Sequence, residues 1–493
     1  MSSVRGVSLV VVLLLAWGCR EQVEPATPTE AQVAAGEPAP DRVVIVGAGI
    51  AGLMTAYELE KRGFTTHVLE MQARVGGRVG TALYPGGLEA EYGMQELWEG
   101  NPLLDLATEL GVELEEGLEA YSSVLLDGKL HPYVQDTPDA FLASFLSESD
   151  RAALALWMQD VSSLLERAET RGLADPEIAA LQQISFADWV TRERGLPAPV
   201  AEWIRVTLSC ELATDWTRFS ALFGLLEFHI FVDGGVLNYH VRGGNSVLIE
   251  ALADAIRGPI TLDARVSSIQ RTQPEGPLRV TFERDRRSEV LEAARVVVAV
   301  PWTHLHRIQM EPPLSDDRWD ALRGLGLGQY VVVHLVLDVA AQALWQVDGE
   351  SPMPVLTTGP LGVIYGDVDR NETELLFSLL IYGTHARAFH MAPYEAKVRE
   401  LLVELDAIWP GLSSHLKDSH VYPYHPAAVA VWPPGRSPLD AGSTLLRTPE
   451  HGVYLAGDWT YNAHSDGAAR RAREVAAMIA AELPRVAARG ARP

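Results

Sequence analysis

The first strongly patterned stretch of the chain is an uninterrupted apolar run at residues 43–46, Val-Val-Ile-Val. Such a run is typical of a strand buried on both faces of a parallel sheet. A helical pattern follows over residues 50–62 and stops at Gly63. The β-branched segment 65–69 then predicts a second strand. Strand, helix and strand in this order indicate a βαβ unit at the start of the fold.

The rest of the chain alternates between two kinds of pattern. The stretch 118–239 is mostly helical in its spacing of apolar residues, which predicts a second, helix-rich region. Strand-like and helical segments elsewhere predict further elements, with strands at 260–266, 295–300, 329–337, 374–382 and 453–456 and helices at 394–408 and from 465 toward 483.

The turn between the first strand and the helix has the sequence Gly47-Ala48-Gly49-Ile50-Ala51-Gly52. In a GxGxxG turn, Gly47 permits a tight bend, Gly49 lets the backbone approach a pyrophosphate, and Gly52 lets the helix pack closely on the strand. The free N–H groups of the helix start, around Ile50 and Ala51, then face the phosphates. Glu70 ends the second strand 18 residues after Gly52 and can accept ribose hydroxyls. These features together predict a dinucleotide site.

Composition narrows the choice of ligand. The 493 residues include 40 Lys and Arg against 65 Asp and Glu, a formal charge of −25. A nucleic-acid partner is therefore not expected, because binding to a phosphate backbone depends on Lys and Arg. The two cysteines, Cys19 and Cys210, provide neither a disulfide framework nor a zinc-ligand pair. We therefore expect no metal site.

The N-terminus has the pattern of a processing segment. Arg5 precedes an apolar stretch, residues 7–17, that is too short to span a bilayer and fits a signal-peptide core. Gly18-Cys19 resembles a bacterial lipoprotein cleavage box, and a plain signal peptide or an uncleaved anchor is the alternative. We therefore expect a signal peptide at 1–19, with Cys19 as a lipid anchor, and a flexible tether at 20–40. The expected location is the periplasm, free or anchored to the membrane as a lipoprotein.

The segment after the second strand identifies the kind of dinucleotide. Glu70 is followed by Arg74-Val75-Gly76-Gly77-Arg78. This LExxxRVGGR pattern resembles the flavin-dependent amine oxidases, which include monoamine, polyamine and L-amino-acid oxidases. Segments matching the family follow in order at 100–107, 241–246 and 453–458. The resemblance implies FAD as the cofactor, with Arg78 near the flavin phosphates.

The resemblance also implies the domain plan and the other cofactor contacts. The fold class is α/β, with a Rossmann-like FAD-binding domain (41–117, 240–312 and 426–493) interleaved with an α+β substrate-binding domain (118–239 and 313–425). Gly93 and Met94 belong to the turn that faces the flavin, and the backbone of Val266 would bind adenine. Near the C-terminus, family position assigns Gly457 and Asp458 to the ribityl chain and Asp466, Gly467 and Ala468 to the flavin's pyrimidine edge, at a helix N-terminus.

Departures from the family pattern bear on the substrate. L-amino-acid oxidases carry an arginine that pairs with the substrate carboxylate, but here Gln95 and Glu96 occupy that turn. We therefore expect Glu96, together with Glu91, to bind a cationic amine, which makes a di- or polyamine substrate a natural expectation. No cysteine follows Trp432-Pro433-Pro434-Gly435. The resemblance therefore implies non-covalent FAD.

Three further positions take substrate-side roles by family analogy. Trp432 and Tyr461 are assigned to substrate binding, and His464 takes the second position of the family's aromatic cage. Arg307 falls where the family has a lysine that reaches N5 of the flavin through water. Arginine keeps its charge and cannot act as a proton acceptor there. The electron acceptor is therefore expected to be molecular oxygen, with formation of hydrogen peroxide, or another acceptor.

Two other activities remain open at this point. An L-amino-acid oxidase is the first, although the turn at Gln95 and Glu96 lacks the arginine. The second is a dehydrogenase of the carotenoid desaturase or protoporphyrinogen oxidase type, because those enzymes share the cofactor domain and oxidise carbon frameworks.

Overall fold

The structure is a computed structural model that describes residues 32–33 and 42–483, apart from 118–121, 135–136, 233–236, 272 and 275. The predicted signal peptide 1–19, with Cys19, and most of the predicted tether lie outside the described residues. Within the tether, Gln32–Val33 pairs in parallel with Glu289 and Val290. Among the helices of the described residues, none is long and apolar enough to cross a membrane.

A five-stranded parallel sheet organises the first domain. Its strands are β1 (Arg42–Val46), β2 (Thr65–Leu69), β3 (Ile260–Thr261), β4 (Arg295–Val298) and β5 (Val453–Leu455), in the spatial order β3-β2-β1-β4-β5. All four pairings are parallel, so the carboxyl ends of the strands meet at one edge. β1 lies at the centre, and the side chains of residues 43–45 have no solvent exposure. Apolar packing on both faces explains the uninterrupted hydrophobic run.

Helix α1 (Ile50–Lys61) connects β1 to β2 and packs against the last helix of the chain, Ser465–Glu482. Their buried side chains share one core with the sheet, including Leu53, Leu59 and Val475. Two helices joined to that core are Pro102–Leu110 and Asn245–Ala255. The predicted βαβ unit is therefore confirmed.

The predicted strand 260–266 is wrong as a single element. Residues 260–261 belong to the parallel sheet, whereas Arg265–Arg271 belongs to a second sheet, because Asp263 has a positive φ of 55° and breaks the extended path. This second sheet has the order Gln32–Val33, Arg287–Ala293, Leu278–Arg284, Arg265–Arg271 and Gln309–Glu311.

The second domain is built on an eight-stranded sheet. Its path runs through Leu416–Val421, Gly326–Asp338, Glu374–Tyr382, Val363–Arg370, Val355–Leu356, Ser123–Leu126 and Lys129–His131, and His425–Val431 also pairs with Gly326–Asp338. Helices Gly383–His390 and Tyr394–Ile408 accompany this sheet. The predicted strands at 329–337 and 374–382 and the helix at 394–408 are confirmed.

The helix-rich region that was predicted between residues 118 and 239 packs beside this sheet. Its helices are Pro138–Ala143, Glu148–Arg171, Pro176–Leu181, Phe186–Asp188, α2 (Ala198–Glu211) and α3 (Ala221–Val232). α3 shares a core with the helix Glu148–Arg171 through Trp157 and Phe228. The described part of this region also contributes the strand Ser123–Leu126 to the large sheet.

Shorter elements complete the framework of the described residues. Leu97–Trp98, Asn238–Val241 and Leu114–Glu116 form a three-stranded sheet, and Thr81–Leu83 pairs with Glu89–Glu91. The helices Asp316–Arg323 and Ala441–Arg447 pack against each other. The α/β fold class is thus observed, with chain segments passing repeatedly between the parallel sheet and the large mixed sheet.

Candidate functional site

A cavity of about 1290 Å³ runs from the carboxyl edge of the parallel sheet to the large mixed sheet. Drug-sized ligands occupy pockets of roughly 300–1,000 Å³, so this cavity has room for a dinucleotide and a small substrate. Most sequence-predicted site residues border it, namely Gly47, Gly49, Ile50, Ala51, Glu70, Arg78, Gly93, Met94, Glu96, Val266, Arg307, Gly457, Asp458, Tyr461, His464, Asp466 and Ala468.

The glycine turn forms one end of the cavity. Gly47 has a φ of 106°, and a Cβ atom there would lie 3.0 Å from the Ala299 carbonyl oxygen. A Cβ on Gly52 would lie 1.9 Å from the Gly47 carbonyl oxygen, so Gly52 sits behind the cavity where α1 meets β1. A Cβ on Gly49 would have no neighbour closer than 4.0 Å. A side chain at Gly47 or Gly52 would therefore meet the backbone. At Gly49, beside the start of α1, the protein leaves room for a ligand to approach the backbone.

Glu70 lies where β2 ends, next to this turn. Its carboxylate accepts hydrogen bonds from the backbone N–H of Ala48 (2.7 Å) and of Gln72 (2.8 Å). A carboxylate has about four lone-pair sites, so both oxygens can still accept a hydroxyl. Val266 borders the same part of the cavity, beside an irregularity in the pairing of its strand. These positions suit the adenosine half of a dinucleotide.

Arg78 and Asp458 form a two-point ion pair across the cavity wall. The Arg78 guanidinium donates from Nη1 to Oδ2 (2.9 Å) and from Nη2 to Oδ1 (2.5 Å) of Asp458, and Nη1 also donates to the Ala428 carbonyl. Asp458 is buried, whereas about a third of the Arg78 side chain stays exposed. The pair therefore fixes the guanidinium beside Gly457 and leaves part of it facing the cavity.

The turn at Gly93 and Met94 is held tightly against the same arginine. A Cβ on Gly93 would lie 2.0 Å from the Arg78 carbonyl oxygen, and the Met94 N–H donates to that oxygen. Asn245 Nδ2 donates to the Met94 carbonyl at 2.7 Å and to the Gln95 carbonyl at 3.1 Å. These contacts aim the residues that follow, starting with Gln95, at the cavity.

Glu91 has a different place from the one expected. Its carboxylate accepts hydrogen bonds from Thr81 Oγ1 (2.9 Å) and the Asn245 backbone N–H (2.6 Å), and it does not border the cavity. The expectation that Glu91 helps to bind an amine is therefore wrong. Glu91 instead joins its strand to the start of helix Asn245–Ala255.

The last helix, α4 (Ser465–Glu482), begins at the cavity wall with His464 as its N-cap residue. Asp466 in its first turn accepts hydrogen bonds from Asn462 Nδ2 and from Arg470 Nε. A Cβ on Gly467 would lie 1.8 Å from Asn462 Oδ1, so Gly467 lies behind the cavity wall and makes room for this loop. Ala468 borders the cavity. A helix start of this kind presents a positive dipole end to the cavity.

Glu96 lies in the other half of the cavity, where two more acids join it. Asn238 Nδ2 donates to Glu96 Oε2 at 2.5 Å. Burial and the nearby Glu211 carboxylate raise the pKa of Glu96 to about 7. Glu211 and Glu227 border the same space from α2 and α3. Sequence reasoning missed both acids, although Glu227 is the lone charge in the apolar run 221–228.

His464 lies between two of these acids, Glu227 and Glu211. Its Nε2 lies 2.5 Å from Glu227 Oε2, and its Nδ1 lies 3.5 Å from Glu211 Oε1. Burial alone would lower the pKa of His464, but the carboxylates of Glu227, Glu211 and Asp466 raise it to about 10. The imidazole is therefore protonated at neutral pH, and Tyr461 borders the cavity beside it.

The structure does not bring Trp432 to the cavity. Its side chain has no solvent exposure, its Nε1 donates to Ser443 Oγ at 2.9 Å, and its ring packs against Phe223. The assignment of Trp432 to substrate binding is therefore corrected: this residue packs the interior of the protein. An aromatic pattern in the sequence does not reveal which side of the chain faces a cavity.

Arg307 lies in the 3₁₀ turn Trp302–Arg307 that follows β4. It is exposed and borders the cavity on the wall that continues from Ala299 and Val300, the residues beside Gly47. This places Arg307 in the segment next to the glycine turn. Its assignment to N5 of the flavin stays a prediction.

Cys210 also borders the cavity and is the cysteine that the described residues contain. Burial raises the pKa of its thiol to about 12, and Sγ donates to the Thr357 carbonyl. A thiol in this state is a poor nucleophile. Non-covalent binding of the flavin remains the prediction.

Comparison with known proteins identifies the family. The model of the flavin-containing amine oxidoreductases matches residues 50–480. The chain belongs to this family. Its cofactor is FAD, as the resemblance at Glu70–Arg78 implied.

Two relatives and one solved structure show the range of similar proteins. Putrescine oxidase of Kocuria rosea is 30% identical over 313 residues, which cover 60% of this chain and 64% of that protein. L-amino-acid oxidase of Demansia vestigiata is 26% identical over 341 residues, covering 66% and 63%. The match to each spans less than two thirds of the relative. The structure of a putrescine oxidase bound to putrescine superposes with a TM-score of 0.76 and 23% identity, covering 90% of this chain and 99% of the other, and supports the fold.

The residues of the cavity fit FAD. The open face at Gly49 and the N-terminus of α1 suit the diphosphate, and Glu70 suits a ribose. Arg78 and the N-terminus of α4 supply positive charge farther along the same cavity. The acids at Glu96, Glu211 and Glu227 line the cavity away from these positions, within the reach of a second molecule.

The glycine turn yields a paired test. Gly52→Ala is expected to prevent folding or FAD retention, because the added methyl group would overlap the Gly47 carbonyl. Gly49→Ala should fold normally and bind FAD at least about tenfold more weakly, because its methyl group is accommodated by the protein and occupies the side open to the cofactor. Circular dichroism reports folding, and titration of the apoprotein with FAD reports affinity. Unchanged affinity in Gly49→Ala would contradict the placement of the diphosphate.

Proposed function

We propose that this protein oxidises an alkyl diamine or polyamine, converting an amine to an imine that hydrolyses to a carbonyl compound. Glu96, Glu211 and Glu227 line the part of the cavity that lies away from the predicted cofactor contacts, which we call the substrate half. These three acids carry the proposal. Held by the glycine turn, Glu70 and Arg78, FAD would supply the acceptor for a hydride equivalent from the carbon next to the reacting nitrogen, with molecular oxygen as the final electron acceptor and hydrogen peroxide as its product.

The protein's own contribution is to bind and orient the substrate. Apolar side chains on the large mixed sheet border the cavity and can hold an alkyl chain, among them Val332, Val363 and Leu380. Glu96, with its carboxylate fixed by Asn238, can accept hydrogen bonds from an ammonium group. A flexible alkyl diamine fixed at one end would present its other amine at a defined position, which is the benefit of orientation.

The same acids disfavour the two alternative activities. An L-amino acid would bring its carboxylate into a region lined by carboxylates, and the turn at Gln95 and Glu96 provides no arginine to receive it. A purely hydrocarbon substrate, as in a desaturase, would exclude water from these charged groups without giving them a partner. Burying an unpaired charge in this way costs binding free energy. No observation in the described residues favours either alternative.

The direct test is a substrate screen with purified holoprotein. We expect hydrogen peroxide with alkyl diamines or polyamines, less with monoamines of similar length, and none with L-amino acids. Anaerobic addition of the active amine should bleach the visible flavin absorbance. Bleaching without peroxide in air would mean that another acceptor replaces oxygen, whereas no bleaching by any amine would contradict the proposed function.

Glu96→Gln should raise the KM for a diamine about tenfold or more and change the KM for a monoamine much less, because only the diamine carries a distal ammonium group. The pKa of Glu96 is raised, so its carboxyl is neutral below a pH of about 7 in the free protein. The diamine KM of the wild type should therefore fall as the pH rises through about 7, and the variant should lose this dependence.

Glu99→Gln is the matched control for this prediction, because Glu99 is three residues along and exposed. Its charge is screened by solvent, so a small and equal effect on both amines is expected. An equal rise in KM for both amines in Glu96→Gln would contradict the assignment of Glu96.

We further propose that residues 1–19 direct export and that Cys19 carries a lipid anchor, which would hold the enzyme at the periplasmic side of a membrane. The apolar stretch 7–17 and the Gly18-Cys19 pair support this proposal. Full-length protein expressed in a bacterium with labelled fatty acid should incorporate label and fractionate with membranes. Cys19→Ser should lose the label. Uncleaved, unlabelled wild-type protein in the cytosol would contradict both parts.

A further inference from the structure

His464 stands between two carboxylates that come from different helices. Glu211 is the last residue of α2, and Glu227 lies in the middle of α3. His464 belongs to neither helix, because it precedes α4 at the far end of the chain. Each ring nitrogen faces one acid, with Nε2 2.5 Å from Glu227 and Nδ1 3.5 Å from Glu211. A ring that faces an acceptor on each side favours the doubly protonated, cationic form.

The two contacts differ in strength. The Glu227 carboxylate is almost fully buried and lies at hydrogen-bond distance from the ring, so its charge is matched by the imidazolium. Glu211 is about a quarter exposed and lies at a distance beyond a good hydrogen bond. Its charge is therefore only partly compensated. Glu211 keeps an oxygen available to the cavity that it borders.

The side chains around His464 include more acids than bases. Glu96, Glu211 and Glu227 supply three carboxyl groups, and His464 supplies the facing cation. Glu96 is bonded to the neutral amide of Asn238. The neighbouring phenol of Tyr330 donates to a backbone carbonyl, and the Cys210 thiol does the same, so neither is an anion or a cation here. Burial raises the pKa of Glu96 to about 7 and also raises the pKa of Glu211. Where both carboxyl groups are ionised, the region has an excess of negative charge at Glu96 and Glu211.

We propose that Glu211 is a second substrate-binding acid, which forms with Glu96 a two-carboxylate site for the distal ammonium group of an alkyl diamine or polyamine, and that Glu227 and His464 are positioning residues for Glu211. This inference rests on the proposed function. Glu227 binds the imidazolium and keeps it from pairing fully with Glu211. His464 holds Glu211 toward the cavity without neutralising it.

The proposal predicts the effects of removing each acid. In Glu227→Gln the imidazolium loses its main partner and pairs with Glu211, which cancels the charge that the substrate needs. The ratio of diamine KM to monoamine KM should therefore rise about tenfold, and Glu211→Gln should raise it by a similar factor. The FAD content should stay close to wild type in both variants, which shows that the cofactor side of the cavity is intact.

A double variant separates this role from a merely structural one. If Glu227 acts through Glu211, the Glu227→Gln change should have almost no further effect on the KM ratio in a Glu211→Gln background. Independent, additive effects on the ratio would overturn the positioning role. Glu169→Gln, which removes an exposed acid from the cavity wall, is the control and should change the ratio by less than about twofold.

Two further outcomes are distinguishable. If Glu227→Gln does not fold, because its partner is left buried without a counter-charge, Glu211→Gln and Glu227→Asp decide the case. An unchanged KM ratio in Glu211→Gln overturns the two-carboxylate site, and a wild-type ratio in Glu227→Asp supports the need for a charge at that position. Failure of every amine to reduce the flavin would instead contradict the proposed function itself.

Discussion

The close approach of α1 to β1 is the constraint on which the cofactor half of the molecule depends. The Gly47 carbonyl lies where a side chain at position 52 would begin, so the first turn of α1 meets the end of β1 without space for a methyl group. This contact points the free N–H groups of the helix start at the carboxyl edge of the sheet. Because all five strands end at that edge, residues from β1 and β2 and from the chain after β4 and β5 meet around one cavity.

Interleaving of the domains lets distant parts of the chain complete this cavity. Arg78 and Asp458 are 380 residues apart, yet their two-point pair joins the loop after β2 to the segment after β5. Asn245 binds the turn at Met94 from another return of the chain. The cofactor side is therefore built from polar contacts between segments that the parallel sheet has already brought together.

The substrate half of the cavity is built from different elements. Its walls come from α2, α3 and the large mixed sheet, which surround acidic side chains with apolar ones. Charges in such surroundings interact more strongly than in water, so the imidazolium of His464 acts strongly on the carboxylates of Glu211 and Glu227 beside it. Glu227 pairs with His464, whereas Glu96 accepts a hydrogen bond from Asn238, so one acid faces a cation and the other a neutral amide.

The sequence by itself determined what depends on short-range geometry. The βαβ unit, the glycine turn, Glu70 and the start of α4 follow from spacing within a few residues, because strand, turn and helix preferences act locally. Tertiary structure alone decided the rest. Glu211 and Glu227 meet His464 only after α2, α3 and α4 pack. Trp432 faces the interior, and Asp263 divides one apparent strand between two sheets. Which side chains share a cavity is set by long-range packing of elements, and the local pattern of polar and apolar residues carries no record of that packing.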